Sequence, residues 1–163
     1  MLLRLLEAEG LSILHVSKIV AAYGACGVPM DDELREHLVG MLRTSWVRCG
    51  PDCTAWLLWG LARLRDWDFF YEAEAALFPI LSRLLRQGRL GAESATLIAN
   101  AYCEAGLEVD VRLLPRLDDV LLTRPKGAAD LPAATAWLRL CAANGIRPGE
   151  DELELLFEDC ISK

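Results

Sequence analysis

The segment Ala22-Tyr23-Gly24-Ala25-Cys26-Gly27-Val28 returns as Ala101-Tyr102-Cys103-Glu104-Ala105-Gly106-Leu107, with Gly27 and Gly106 separated by 79 residues. That distance is close to twice 39 or 40. Midway, Leu57-Leu58-Trp59-Gly60-Leu61-Ala62-Arg63-Leu64-Arg65 follows the same apolar pattern, with Arg65 standing where the glycine would be. Beyond Gly106, Leu138-Arg139-Leu140-Cys141-Ala142-Ala143-Asn144-Gly145-Ile146 repeats it again. The register positions 27, 65, 106 and 145 advance in steps of 38, 41 and 39 residues. Self-similarity at such a period is the mark of a repeat architecture. It divides the chain into units at about 12–49, 50–90, 91–129 and 130–163, with residues 1–11 expected to form the last turns of a preceding N-terminal helix.

Each unit reads as two helices. In the first, Leu14, Ile19, Val20 and Tyr23 recur at helical spacing between about Ser12 and Ala25, Gly27 supplies a C-terminal cap and Pro29 prevents continuation. The second begins near Asp31 and Asp32, whose carboxylates favour a helix N-terminus, and carries Leu34, Leu38, Met41 and Leu42 on its apolar face. The same reading gives Thr54–Arg65 and about Phe69–Arg86, then Ala92–Ala105 and a helix after Asp110, then Leu131–Asn144 and Glu150–Ile161. Pro79 and Pro115 fall within second helices and predict a kink or a delayed start. No segment alternates with period two, so the expected class is all-α. Because one amphipathic hairpin cannot bury its own apolar stripe, the expected architecture is an α-solenoid of about four helix-turn-helix repeats, stacked so that neighbours complete the core.

The composition agrees. Of 163 residues, 53% are hydrophobic, enough to offset the entropy of ordering the backbone, which excludes a disordered chain. Lys18, Arg63, Asp66 and Arg83 interrupt the longest apolar runs, so no membrane span is expected. The formal net charge is -7 and is unevenly placed. Units one and two balance, whereas residues 91–129 hold four basic and six acidic groups and residues 130–163 hold three and seven. Fourteen of the 17 basic residues are Arg, the side chain suited to forked contacts with carboxylate, phosphate and aromatic faces.

The stretch Thr96-Leu97-Ile98-Ala99-Asn100-Ala101-Tyr102-Cys103-Glu104-Ala105-Gly106 resembles the first helix of pentatricopeptide-type repeats, and Asn144-Gly145-Ile146-Arg147-Pro148 resembles their hairpin turn. The unit length is similar to that of heptatricopeptide and octotricopeptide repeats and of the helical repeats preceding RAP domains in FAST-kinase-like proteins. The resemblance implies organellar RNA work. Such proteins bind, process or stabilise mitochondrial and plastid transcripts, and some are built into organellar ribosomes. It therefore implies a mitochondrial location for this chain.

Arg83, Arg86 and Arg89 recur every three residues at the end of a second helix, with Arg63 and Arg65 near the end of the helix before it. They read either as a cationic ridge for RNA phosphates or as cations favourably placed at helix C-termini. Arg112, Arg116, Arg124 and Lys126 form a weaker second group. Trp46, Trp56 and Trp59 read as a protein-interface anchor or as core packing of unit two. The position just inside the first helix holds Tyr23, Leu61, Tyr102 and Cys141, which is a core series and no base-reading code.

The six cysteines lie in apolar helical runs and read as buried free thiols; the Cys49/Cys53 pair would support redox chemistry only if both were exposed and one ionised easily. Neither His15 nor His37 stands in a catalytic or metal-ligand pattern, so no enzyme, cofactor or metal is expected. The expectation is a non-catalytic structural subunit of an organellar ribonucleoprotein, concretely the mitochondrial ribosome, touching rRNA through Arg groups and other subunits through apolar surface. The alternative is a protein–protein scaffold or an accessory subunit of a respiratory or ATP synthase complex.

Overall fold

A computed structural model describes residues 12–110, 112–122 and 131–154, and at Leu42, Ser45 and Trp46 the backbone alone. The expected residues 1–11 helix and the end of the Glu150–Ile161 helix lie outside the described residues. Within them, every regular element is helical. The order is α1 (Ile13–Cys26), α2 (Asp32–Ser45), a 3-10 turn (Trp46–Arg48), α3 (Pro51–Leu64), α4 (Trp67–Arg86), α5 (Ala92–Ala105), α6 (Leu114–Leu122) and α7 (Leu131–Ala143). Residues 150–154 are helical as well.

The repeat has a backbone cause. All four register positions adopt left-handed conformation, with φ of 64° at Gly27, 57° at Arg65, 65° at Gly106 and 65° at Gly145. Each ends a first helix by turning an N–H back onto the last carbonyls; at Gly106, the Gly106 N–H meets Cys103 O and the Leu107 N–H meets Tyr102 O. Glycine is favoured there because it has no Cβ to crowd the following carbonyl. Arg65 is the one non-glycine residue at positive φ among the described residues.

Helix starts differ slightly from the expectation. Helix α3 begins at Pro51 instead of Thr54, because proline at the first helical position forfeits an N–H that has no partner there anyway. Helix α4 begins at Trp67 instead of Phe69, because the Asp66 carboxylate caps it and accepts the Phe69 N–H. Pro115 sits at the second residue of α6, a delayed start. Helix α4 runs through Pro79, where the ring and the Ala75 carbonyl it leaves without an amide both belong to exposed residues.

The first helices of successive units pack one on the next, α1 on α3, α3 on α5 and α5 on α7, while α4 and α6 lie against α3 and α5. Small residues let the first helices approach closely. Gly24 and Gly60 face each other at the α1–α3 crossing, where a Cβ added to Gly60 would lie 2.8 Å from Ala21 Cα. Ala95, Ala99, Ala101, Ala133 and Ala136 continue this lining, with Leu57, Leu58, Leu61, Ile98, Trp137 and Leu140 filling the space around them. Leu61, Tyr102 and Cys141 are buried, so that series packs the core.

Polar links stitch the units. Arg35 of α2 forks onto Asp66, with Nη2 at 2.9 Å, and stacks 5.6 Å from the Phe69 ring centroid. The cap of α4 thus also anchors the preceding hairpin. Asn144 accepts the Val109 N–H at 2.9 Å and donates to Leu140 O at 2.7 Å, tying the turn of unit three to that of unit four. Tyr102 donates to Glu74 at 2.8 Å, and burial together with the Glu74 charge raises the phenol well above its ordinary range.

Candidate functional site

One exposed stripe crosses the four first helices. On α1, α3 and α5, positions spaced four, three and four residues apart escape full packing; on α7 the stripe continues at Pro132, Arg139 and Ala143, while Ala136 between them is buried. On α3 the positions are Asp52, Trp56, Trp59 and Arg63, and on α5 they are Glu93, Leu97, Asn100 and Glu104. Equivalent positions touch between units. Lys18 Nζ lies 5.3 Å from the Trp56 ring centroid, Arg63 Nη1 is 3.7 Å from Glu104, and Arg139 Nη1 donates to Asn100 at 2.9 Å. Ser94 donates to Asp52 at 2.9 Å. Each such pair contributes little, about 0–1 kcal/mol at an exposed site, but together they engage Lys18, Asp52, Arg63, Glu104 and Arg139 within the chain.

Trp56 and Trp59 lie half-buried on this stripe, packed against the core, with Lys18 over the Trp56 ring. They therefore fit both readings of their sequence. The side chain of Trp46 lies outside the described residues.

The five Arg named from sequence do not gather. Arg63 and Arg65 stand at the end of α3, immediately before α4, whereas Arg83, Arg86 and Arg89 stand at its far end. The sixteen-residue rise of α4 from Trp67 to Arg83 amounts to roughly 24 Å. All five are exposed. Arg63 is paired with Glu104, and the Arg86 Nε donates to the Ser82 carbonyl at 3.3 Å. The other forked ion pairs, Arg43 with Glu72 and Arg112 with Asp110, likewise match Arg to carboxylate. Hydrogen bonding from Arg112 holds Asp110 at about 2.

What sequence reasoning did not reveal is the seam between α4 and α6. There Leu85, Gly88, Leu90, Ala92, Arg116, Asp119 and Val120 line an open groove of about 420 Å³. The signal was present but divided, since Arg89 and Arg116 belong to two different Arg groups of the sequence.

Cys49 and Cys53 are both buried, and burial, with a smaller contribution from Cys53, pushes the Cys49 thiol up to about 12. A buried, protonated thiol is a poor nucleophile, so the pair lacks the exposure that its redox reading requires. His15 is exposed and bonded to Ser12 at 3.1 Å. Among the described residues no His, Cys, Asp or Glu group has metal-binding geometry, and no helix is long and apolar enough to cross a membrane.

Comparison with protein-family models, with curated proteins and with solved structures finds no match to this chain.

Proposed function

We propose that this chain is a non-catalytic α-solenoid that holds protein segments of a larger assembly. Repetition of the left-handed cap at four positions and the stacking of first helix on first helix support the solenoid. The observation that carries the binding role is the stripe over α1, α3, α5 and α7, in which Lys18, Arg63 and Arg139 are engaged by neighbours while Trp56, Trp59 and Leu97 stay partly exposed. Protein interfaces concentrate binding energy in aromatic and Arg anchors with few unmatched charges at their centre.

A second reading is the ribonucleoprotein subunit, concretely in a mitochondrial ribosome. It is favoured by Arg83 and Arg89, exposed side chains with no carboxylate partner among the described residues. The organelle in that reading rests on the resemblance to organellar helical repeats. The net charge of -7 weighs against phosphate binding as the main source of affinity.

The test is ultraviolet and chemical crosslinking of the protein purified from its native source at moderate salt, with the attached RNA sequenced and the crosslinked peptides mapped by mass spectrometry. Protein crosslinks through Lys18 and the α3–α5 stripe without RNA support the scaffold. RNA crosslinks on Arg83–Arg89 refute it in favour of the second reading.

A further inference from the structure

We infer that the groove between α4 and α6 is a docking site for an acidic peptide segment bearing an aliphatic side chain. This rests on the scaffold reading and adds a second surface with a stated partner chemistry. The floor is aliphatic: Leu85 and Leu90 are almost fully buried, and Val120 is half-buried at the edge. At about 420 Å³ the space suits one or two aliphatic side chains of a partner.

The rim is cationic on a chain that is acidic overall. Arg116 lines the groove from α6, and the exposed Arg89 stands between Gly88 and Leu90, both of which line it. Arg86 and Arg83 follow along α4. Ala92, the first residue of α5, brings in a helix N-terminus whose N-cap is Gly91, with no side chain to accept its free N–H groups. That end carries partial positive charge and adds to the preference for an anion. Gly88, at φ 61°, meets open space where a Cβ would stand, so the mouth is unobstructed at that point. Against these cations stands Asp119, in the lining; Glu93 belongs to the outer stripe of α5.

The lining favours peptide over RNA. It offers no aromatic ring on which a base could stack, and the Asp119 carboxylate within it, which repels phosphate and glutamate alike, can accept a peptide N–H. Carboxylates on either side of a leucine match the geometry, charge to Arg89 and Arg116 and apolar side chain to Leu85, Leu90 and Val120.

The experiment is fluorescence anisotropy of the full chain with a labelled synthetic peptide that alternates glutamate pairs and leucine pairs. The comparison probes are the same peptide with serine for leucine and an oligouridylate of matched charge. Binding of the leucine peptide is expected, weakened by added salt and by the serine exchange. The combined Arg89→Glu and Arg116→Glu variant is expected to lose about tenfold or more in affinity, with the circular dichroism spectrum unchanged. Val120→Ser should weaken the leucine peptide and leave the serine peptide untouched.

No binding of the leucine peptide, or binding indifferent to the double reversal, overturns the proposal. So does oligouridylate binding tighter than the peptide with the same Arg dependence. The first two results leave the scaffold reading standing on its stripe, whereas RNA crosslinks in the native particle would remove the scaffold reading itself.

Discussion

Replacing Gly60 with alanine tests the packing at its tightest point. In a helix interior that exchange ordinarily stabilises by about 1 kcal/mol, because alanine loses less backbone entropy. Here the new methyl would lie 2.8 Å from Ala21 N, Ala21 Cα and Val20 C, all main-chain atoms that no rotamer change can move. Ordinary carbon contacts are about 3.5–4.0 Å, so α1 must retreat from α3 by roughly 0.7–1.2 Å. The crossing is as close at Gly24, where an added Cβ would lie 2.5 Å from Gly60 O. A retreat of that size forfeits part of the contact that Val16 and Val20 make in the core. Overpacking of a core costs about 1–3 kcal/mol, and contact with rigid backbone belongs at the upper end. After the propensity gain, a net loss of about 2 kcal/mol remains, or roughly 4–8 °C in Tm for a domain of this size.

Gly40 is the internal control. It is exposed in the middle of α2, and a Cβ there meets nothing within 4 Å. Gly40→Ala should therefore raise Tm by about 2–4 °C. Thermal unfolding followed by far-ultraviolet circular dichroism measures both. If Gly60→Ala unfolds at or above the wild-type temperature while Gly40→Ala rises, the close α1–α3 approach is wrong.

Arg65→Gly should stabilise by about 0.5–1 kcal/mol in denaturant titration by relieving a side chain held at φ 57°, and Gly106→Ala should cost about 1 kcal/mol for the converse reason. An equal response at both sites would contradict the shared cap. The fork from Arg35 holds Asp66 below its ordinary value of 3.8. Its contribution is therefore present above that pH and lost as pH falls through the lower folded value, so Arg35→Met should unfold at higher pH than wild type in an acid titration. Asp118 behaves oppositely: burial raises it above 3.8 although Trp137 Nε1 donates to it at 3.1 Å. Asp118→Asn keeps an acceptor for the indole and should raise Tm at neutral pH. That gain should fade once pH falls below the raised folded value, and a gain independent of pH would refute the burial argument. With a thiol reagent, the exposed Cys26 should react in the native protein, whereas Cys49 and Cys53 should react only on unfolding.

The helices were legible because their signals are local. Apolar spacing named the first helices to within a few residues, and the glycine at three of four register positions marks a backbone turn that each unit needs for itself. Arg65 was legible only through its neighbours' spacing, since arginine carries no preference for that conformation. Apolar spacing does not mark the starts of α3 and α4, because Pro51 and Asp66 act on the first turn, ahead of the apolar pattern.

The candidate sites were legible in residue type and not in grouping. Sequence proximity joined Arg63 and Arg65 to Arg83, Arg86 and Arg89, but the helix between them carries the two sets to opposite ends of a hairpin. It also parted Arg116, which lines the α4–α6 groove, from Arg89, whose neighbours Gly88 and Leu90 line the same groove. By itself the sequence determined the helical class, the period and the places where the chain must turn, because periodicity and allowed φ are properties of a few consecutive residues. Only the tertiary structure decided that Gly24 meets Gly60, that Arg63 is matched by Glu104 and that an aliphatic groove opens beside Arg89 and Arg116. Those contacts join helices about one repeat apart, and their partners are chosen by how the helices pack, which no local stretch encodes.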